Sequence, residues 1–418
     1  MKEKVKIAFI GLGHRGPGLL RLLANMTDVE IVGLSDLYQD RLEGGLAILK
    51  DNGYKKMPLA ELDYRKLLDV PGVQAVITPS SWTSHVPILL DAMEHGLYAA
   101  TEVGGATSIE QCWQLVHTSK RTGMPCMLLE NCCYGREEMA VMNMIKHGLF
   151  GELVHAEGGY RHDLRDEVCM GEENRHYRLV NYSNRNGDVY PTLELGPIAK
   201  YLGINRGNRM VMLSSMASKS VGLNEWSLQH RGADDPLTKR HFTLGDVVTT
   251  NIKCAHGETI TLFHDTSLPR PYSRANLLQG TKGIWQEDTR GVFFEGVSRK
   301  TKHWTHEWEK IDDYFGKYEH PLWKFFQRAG VRGGHGGMDY LVLRAFVEAV
   351  KHHTQTPIDV YDTASWMAIT TLSEDSANMG SMPVAIPDFT DGAWINREPA
   401  LKGPYSLDDW DMKGLKAY

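Results

Sequence analysis

At 418 residues the chain is too long for one ordinary hydrophobic core, so two domains are the natural expectation. Its 42% hydrophobic and 23% charged residues are those of a soluble globular protein. A net charge of −6 argues against a nucleic-acid partner, and no run of about 18 apolar residues marks a membrane span.

The apolar start of the chain, residues 5–10, is too short for a signal peptide and runs straight into a glycine-rich turn, so it reads as a first strand. A cytoplasmic location follows as an expectation. Six cysteines at 112, 126, 132, 133, 169 and 254 lack CxxC spacing, the pattern of reduced thiols. Short apolar runs at 5–10, 29–34, 75–78, 98–101 and 126–130 alternate with helical spacing at 18–25, 86–95 and 109–122. Strand and helix in repetition predict a parallel, doubly wound α/β sheet of the Rossmann kind.

The loop Gly11-Leu12-Gly13-His14-Arg15-Gly16 follows the first strand directly and opens a helix. In that setting the first glycine permits a tight turn, the second lets a pyrophosphate approach the backbone, and the third lets helix and strand pack closely. The helix start offers unpaired N–H groups and a positive dipole end to phosphates. Asp36 follows the second strand, about 20 residues further on, where a carboxylate accepts from both ribose hydroxyls and repels a 2′-phosphate. NAD is therefore the expected cofactor. Ser80, Trp82 and His85 follow the next strand, and Glu102 a later one, at the sheet edge where ligands bind.

Beyond about residue 150 the pattern changes. Alternation at 153–160, 247–253 and 259–265, with a further run at 281–285, predicts an α+β second domain with a mainly antiparallel sheet open on one face. A single division near residue 132 is expected, giving domains 1–132 and 133–418. Residues 161–186, rich in charge, His and Tyr, read as a long functional loop. Helical spacing returns at 338–350 and 364–377, and the tail from 387 is irregular.

The order of these pieces resembles the glucose–fructose oxidoreductase, inositol dehydrogenase and rhizopine-catabolism (Gfo/Idh/MocA) family. Its usual Glu-Lys-Pro is replaced here by Glu102-Val103-Gly104, so the lysine that assists sugar oxidation in that family is absent. A narrower resemblance, to glycoside hydrolase family 109, rests on motifs spread along most of the chain. They are Leu129-Glu130-Asn131-Cys132-Cys133-Tyr134-Gly135-Arg136, Glu157-Gly158-Gly159-Tyr160-Arg161-His162-Asp163-Leu164-Arg165, Asn186-Gly187-Asp188-Val189-Tyr190-Pro191-Thr192 and Gly334-His335-Gly336-Gly337-Met338-Asp339-Tyr340. The family pattern after Tyr-Pro-Thr is usually His-Gly-Leu-Gly-Pro; this chain has Leu193-Glu194-Leu195-Gly196-Pro197, so the histidine gives way to a Leu-Glu pair.

The resemblance implies an NAD-dependent glycosidase acting on a small-molecule glycoside, typically an α-N-acetylgalactosaminide. It works by transient oxidation at C3, loss of the C2 proton, elimination of the aglycone, addition of water and re-reduction. Tyr160, His162 and Glu194 are then the catalytic candidates, and Tyr190, His335, Asp163 and Arg165 the substrate-binding ones. Gly11, Gly13, His14, Arg15, Gly16, Asp36, Ser80, Trp82, His85, Glu102 and Asn131 form the cofactor set. A keto-sugar-forming dehydrogenase is the alternative, and a non-catalytic NAD(H) sensor a third reading. The spacing of His162, Asp163 and His176 gives no metal site. The family resemblance further implies a homo-oligomer.

Overall fold

In the computed structural model, which describes residues 4–299, 306–330, 333–399, 401–413 and 415, the first apolar runs form a six-stranded parallel sheet. Its strands are β1 (Val5–Ile10), β2 (Val29–Ser35), β3 (Leu59–Glu61), β4 (Ala75–Thr78), β5 (Tyr98–Thr101) and β6 (Cys126–Leu128), in the order β3-β2-β1-β4-β5-β6. Every residue of β4, β5 and β6 is buried, as expected of strands covered on both faces by crossover helices. The order reverses at β1, so the crevice outside the carboxyl ends of β1 and β4 is where a dinucleotide binds in such a sheet.

This unit takes in Met1–Gly135, Pro321–Ser365 and Glu398–Tyr418; the other comprises Arg136–His320 and Trp366–Arg397. A single division near residue 132 thus misses a return of the chain, and a buried ion pair shows why. Arg344, on the helix Met338–His352, donates to Asp28 before β2 at 2.7 and 2.8 Å, and Lys351 adds a third bond to Asp28 at 2.8 Å. Arg344 is 1% exposed, and removing one partner would strand a buried charge.

The second unit is built on a nine-stranded sheet of β7 (Leu153–Arg161), β8 (Met210–Ala217), β9 (Val247–Cys254), β10 (Thr259–Asp265), β11 (Leu277–Gly280), β12 (Gly283–Gln286), β13 (Gly291–Phe294), β14 (Glu309–Lys310) and β15 (Val384–Ala385). Its order is β14-β13-β12-β11-β7-β10-β9-β8-β15. Only β7 and β10 pair in parallel; the other neighbours are antiparallel. Alternate residues of β9 and β10 are buried, which leaves the other face of the sheet more open. The helix Thr192–Tyr201 packs on β7.

Residues 161–186 are not one loop. Two short helices, Arg165–Cys169 and Arg178–Asn184, interrupt them; each is too short to show a hydrophobic period in the sequence. Of the run at 281–285, residues 281–282 connect β11 to β12 and the rest lies in β12, which pairs antiparallel with β11. All six cysteines lie among the described residues, are buried, and form no disulfide.

Candidate functional site

In the first unit the loop after β1 is shaped by backbone contacts. Gly11 has φ +109°, and a Cβ there would lie 2.8 Å from the Ser80 backbone nitrogen; a Cβ on Gly16 would lie 2.3 Å from the Gly11 carbonyl oxygen. Both positions therefore admit only glycine if the helix Gly16–Ala24 is to start this close to the strand. Around Gly13 the nearest group to such a Cβ is the Arg41 guanidinium, at 3.4 Å. The middle glycine is half-buried with only the end of one flexible side chain close to it, so its backbone stays approachable, as a phosphate cradle requires. His14 is exposed beside it.

Asp36 opens the loop directly after β2. Its carboxylate accepts from the Leu12 amide at 2.7 Å and the Tyr38 amide at 3.0 Å. These bonds tie the glycine-rich loop to β2 and fix the carboxylate, whose remaining lone pairs can accept from hydroxyls.

After β4, Ser80 takes hydrogen bonds from the hydroxyls of Thr78 and Ser84, both at 2.9 Å, and its carbonyl lies 3.0 Å from His85 Nε2. Burial pushes His85 down to about 4, so a neutral ring braces the Ser80 turn from below. Trp82 is 1% exposed and is packed by Gly104, where a Cβ would meet the indole at 2.4 Å. The Val103-Gly104 pair that stands in place of Lys-Pro therefore lets the chain close over this tryptophan.

Sequence reading did not connect Arg15, Glu102, Asn131, His335 and Asp339, which form one network. Arg15 donates through Nε (3.0 Å) and Nη2 (2.7 Å) to Glu102 Oε1. It also donates through Nη1 and Nη2, both at 3.0 Å, to the two oxygens of Asp339. Asn131 Nδ2 donates to Asp339 Oδ1 at 2.7 Å, and His335 Nδ1 lies 2.8 Å from Asp339 Oδ2. Burial works against the charged form of Asp339, yet His335 and Arg15 hold its carboxyl well below the usual range. His335 is thus the partner of a carboxylate one helical turn on. The signal for this lay in the Gly334–Tyr340 motif, but its partner Arg15 is far away in sequence.

In the second unit the strand β7 ends in Tyr160 and Arg161, followed by His162. The Tyr160 ring lies 4.5 Å from that of Tyr190 and 6.0 Å from that of His162, which in turn meets Tyr272 at 5.2 Å. Arg178 stands 5.5 Å from the Tyr160 ring centre and 5.1 Å from that of Tyr190, and its Nε pairs with Glu167 at 2.7 Å. Burial pushes the Tyr160 phenol up to about 12, against the pull of Arg178. Burial also lowers His162, with Arg178 adding to the effect.

Glu194 is fully buried in the first turn of the helix Thr192–Tyr201, near enough to Tyr160 for its charge to raise that phenol. Asp188 accepts from the Tyr190 amide at 3.2 Å, and its other oxygen has no hydrogen-bond partner among the described residues; burial pushes its carboxyl up. Directly across from Tyr160 in the parallel register, His264 on β10 is fully buried and pushed down by burial to about 3. Asp163 and Arg165 bind each other, at 2.7 and 2.9 Å. Arg178 and His264 were not legible as site residues, because only the folded register brings them to Tyr160. Among the described residues no group of three or more His, Cys, Asp or Glu side chains could hold a metal ion, and no helix is long and apolar enough to cross a membrane.

The chain is similar to known proteins along most of its length. Residues 134–396 match the model of the glycosyl hydrolase 109 C-terminal domain. An alpha-N-acetylgalactosaminidase of Tannerella forsythia is 41% identical over 95% of this chain and 88% of its own. A glycosyl hydrolase family 109 protein of Stenotrophomonas maltophilia is 40% identical over 96% and 93%. Among solved structures, a levoglucosan dehydrogenase in complex with NADH and levoglucosan covers 92% of this chain and all of its own, with TM-score 0.67 and 17% identity. The myo-inositol 2-dehydrogenase of Lactobacillus plantarum, at 15% identity and TM-score 0.66, likewise covers 92% and all of its own. These last two share the fold, that of the Gfo/Idh/MocA oxidoreductases. With the match spanning its second unit and relatives of about 40% identity spanning nearly all of its length, the chain belongs to glycosyl hydrolase family 109.

Proposed function

We propose that the protein is an NAD-dependent glycosidase whose net reaction is hydrolysis without net redox change. The supporting observation is that one chain carries both the family 109 match and a glycine cradle with an aspartate after the second strand. Two carboxylates flanking a sugar are the usual equipment for direct hydrolysis; a dinucleotide cradle has no place in that route.

The residues fit the cofactor. Gly11, Gly13 and Gly16 would leave room for the pyrophosphate, Asp36 would accept from the adenosine ribose, and Glu102 with Ser80 and Asn131 would serve the nicotinamide half. When bound, NAD⁺ supplies a reversible hydride acceptor for C3 of the sugar. His14 and Arg15 belong to the same loop; Arg15 acts through its carboxylate partners rather than on phosphate.

The protein's own task is then proton transfer and charge stabilisation. Tyr160 is the candidate for the proton of the C3 hydroxyl or of C2, with Arg178 beside it favouring the phenolate and the negative charge that develops on the sugar oxygen. Glu194 stands one residue after the place of the family's histidine and is the candidate acid for the departing aglycone oxygen. His162, kept neutral, is the candidate to relay a proton. Tyr190 binds a sugar hydroxyl, and the Asp163–Arg165 pair offers a further polar contact. Because Tannerella and Shewanella relatives are named alpha-N-acetylgalactosaminidases, those glycosides are the first to try.

The test is a panel of α- and β-p-nitrophenyl glycosides, with nitrophenol and NADH followed together. Nitrophenol release with no accumulating NADH supports the proposal. NADH rising in step with substrate loss, without nitrophenol, makes the protein a sugar dehydrogenase, the reading that the Leu193-Glu194 departure keeps in play.

A further inference from the structure

We infer that Asp339 is a positioning residue for the cofactor: through Arg15 it locks the Glu102 carboxylate, and the pair of carboxylates biases the site toward the cationic, oxidised nicotinamide. The inference rests on the NAD dependence proposed above.

The geometry carries it. Arg15 is a single cation between two carboxylates, and four of its N–H groups' contacts go to them. Glu102 has its other oxygen on the Val103 amide at 2.8 Å, so it has no freedom to swing. Asp339 is fixed at both oxygens, by Arg15 and Asn131 on one and by Arg15 and His335 on the other. Asp339 is 2% and Glu102 7% exposed, so water screens neither well.

One guanidinium between two carboxylates leaves this trio with one negative charge in excess. That charge lies where β5, β6 and the loop after β1 meet. In a sheet with this strand order the adenosine half lies toward β2 and Asp36, and the nicotinamide half toward β4 and β5. NAD⁺ carries a positive ring there and NADH a neutral one. A fixed negative charge in a poorly screened site therefore binds the oxidised form more tightly. Rigid placement also means that no reorganisation is needed when the ring charge changes.

The experiment uses the full chain, stripped of nucleotide, and measures dissociation constants for NAD⁺, NADH and ADP-ribose by calorimetry. ADP-ribose lacks the nicotinamide and reports an intact cradle. In Asp339→Asn the ratio of the NADH constant to the NAD⁺ constant should fall about tenfold, with ADP-ribose binding within about twofold of wild type. If Asp339→Asn fails to bind ADP-ribose, Glu102→Gln removes the same charge from the other side of Arg15 and should lower the ratio alike. An unchanged ratio in a variant that binds ADP-ribose overturns the inference and leaves NAD dependence standing. A wild-type protein that binds neither nucleotide overturns both.

Discussion

Tyr160 and Tyr190 stand with ring centres 4.5 Å apart and their planes tilted by 50°. They come from a strand end and from a turn that the buried Asp188 holds by accepting from the Tyr190 amide. Arg178 lies against both rings. Burial works against its cation, yet Tyr160, Tyr182, Tyr177 and Glu167 around it keep it charged. A guanidinium held charged against two phenols is a fixed positive field at the place where the proposed chemistry develops negative charge.

Tyr160→Phe is expected to lower kcat by roughly 10² to 10⁴, the range for a lost general acid–base, with NADH binding unchanged. Arg178→Met is expected to lower kcat as well and to push the Tyr160 phenol further up, since the cation that opposes the effect of burial is gone. Steady-state kinetics and ultraviolet titration of the tyrosines check the two. Wild-type kcat in Tyr160→Phe would move the role to another residue.

Glu194→Gln should cut kcat by about 10² or more while the protein retains its melting temperature within a few degrees. The double variant Leu193→His, Glu194→Gly restores the family's His-Gly order and should recover activity beyond that of Glu194→Gln. Equal turnover by wild type and Glu194→Gln would show that the carboxylate takes no part.

Asp36→Ala removes the acceptor of two backbone amides and of the expected ribose hydroxyls. Leaving a buried donor unpaired costs about 1–3 kcal/mol, so NAD⁺ affinity should drop by tenfold or more, as measured by calorimetry. Affinity equal to wild type would remove Asp36 from the ribose site.

The buried His264 sets a pH dependence of stability. Its folded value, about 3, lies below the unfolded value of 6.5, so the unfolded state takes up the proton first. The neutral ring's contribution is fully present above pH 6.5 and is lost as pH falls toward 3. By pH 5 the loss is on the order of 2 kcal/mol. His85 works in the same direction, whereas Glu138, raised to about 7 by burial, loses stability as pH rises toward 7 and so opposes them. Urea unfolding of His264→Gln should show a shallower decline between pH 6.5 and 5 than wild type; an identical slope would contradict the assignment.

The first sheet was legible because its signals are local. A buried strand, three glycines and an aspartate about 20 residues on lie within one βαβ unit. The strand β7 and its Tyr160 were legible from alternation. What escaped depends on distant partners. Asp339 meets Arg15 only because the helix Met338–His352 returns to the first unit, anchored by Arg344 on Asp28. His264 reaches Tyr160 through a parallel register between β10 and β7, and alternation alone does not choose a strand's neighbour. The helix Arg178–Asn184 hid Arg178 inside what read as a loop. The Asp163–Arg165 pair and the bracing role of His85 turned on side-chain geometry that composition does not carry.

In the proposed mechanism the glycosidic bond breaks through loss of the C2 proton rather than by direct displacement at C1. Hydrolysis of p-nitrophenyl α-N-acetylgalactosaminide in D₂O by the NAD-loaded protein, with NMR of the released sugar, tests it most directly. Deuterium at C2, nitrophenol equal to the sugar released, and no accumulating NADH are expected. Release of sugar with hydrogen retained at C2 would contradict it.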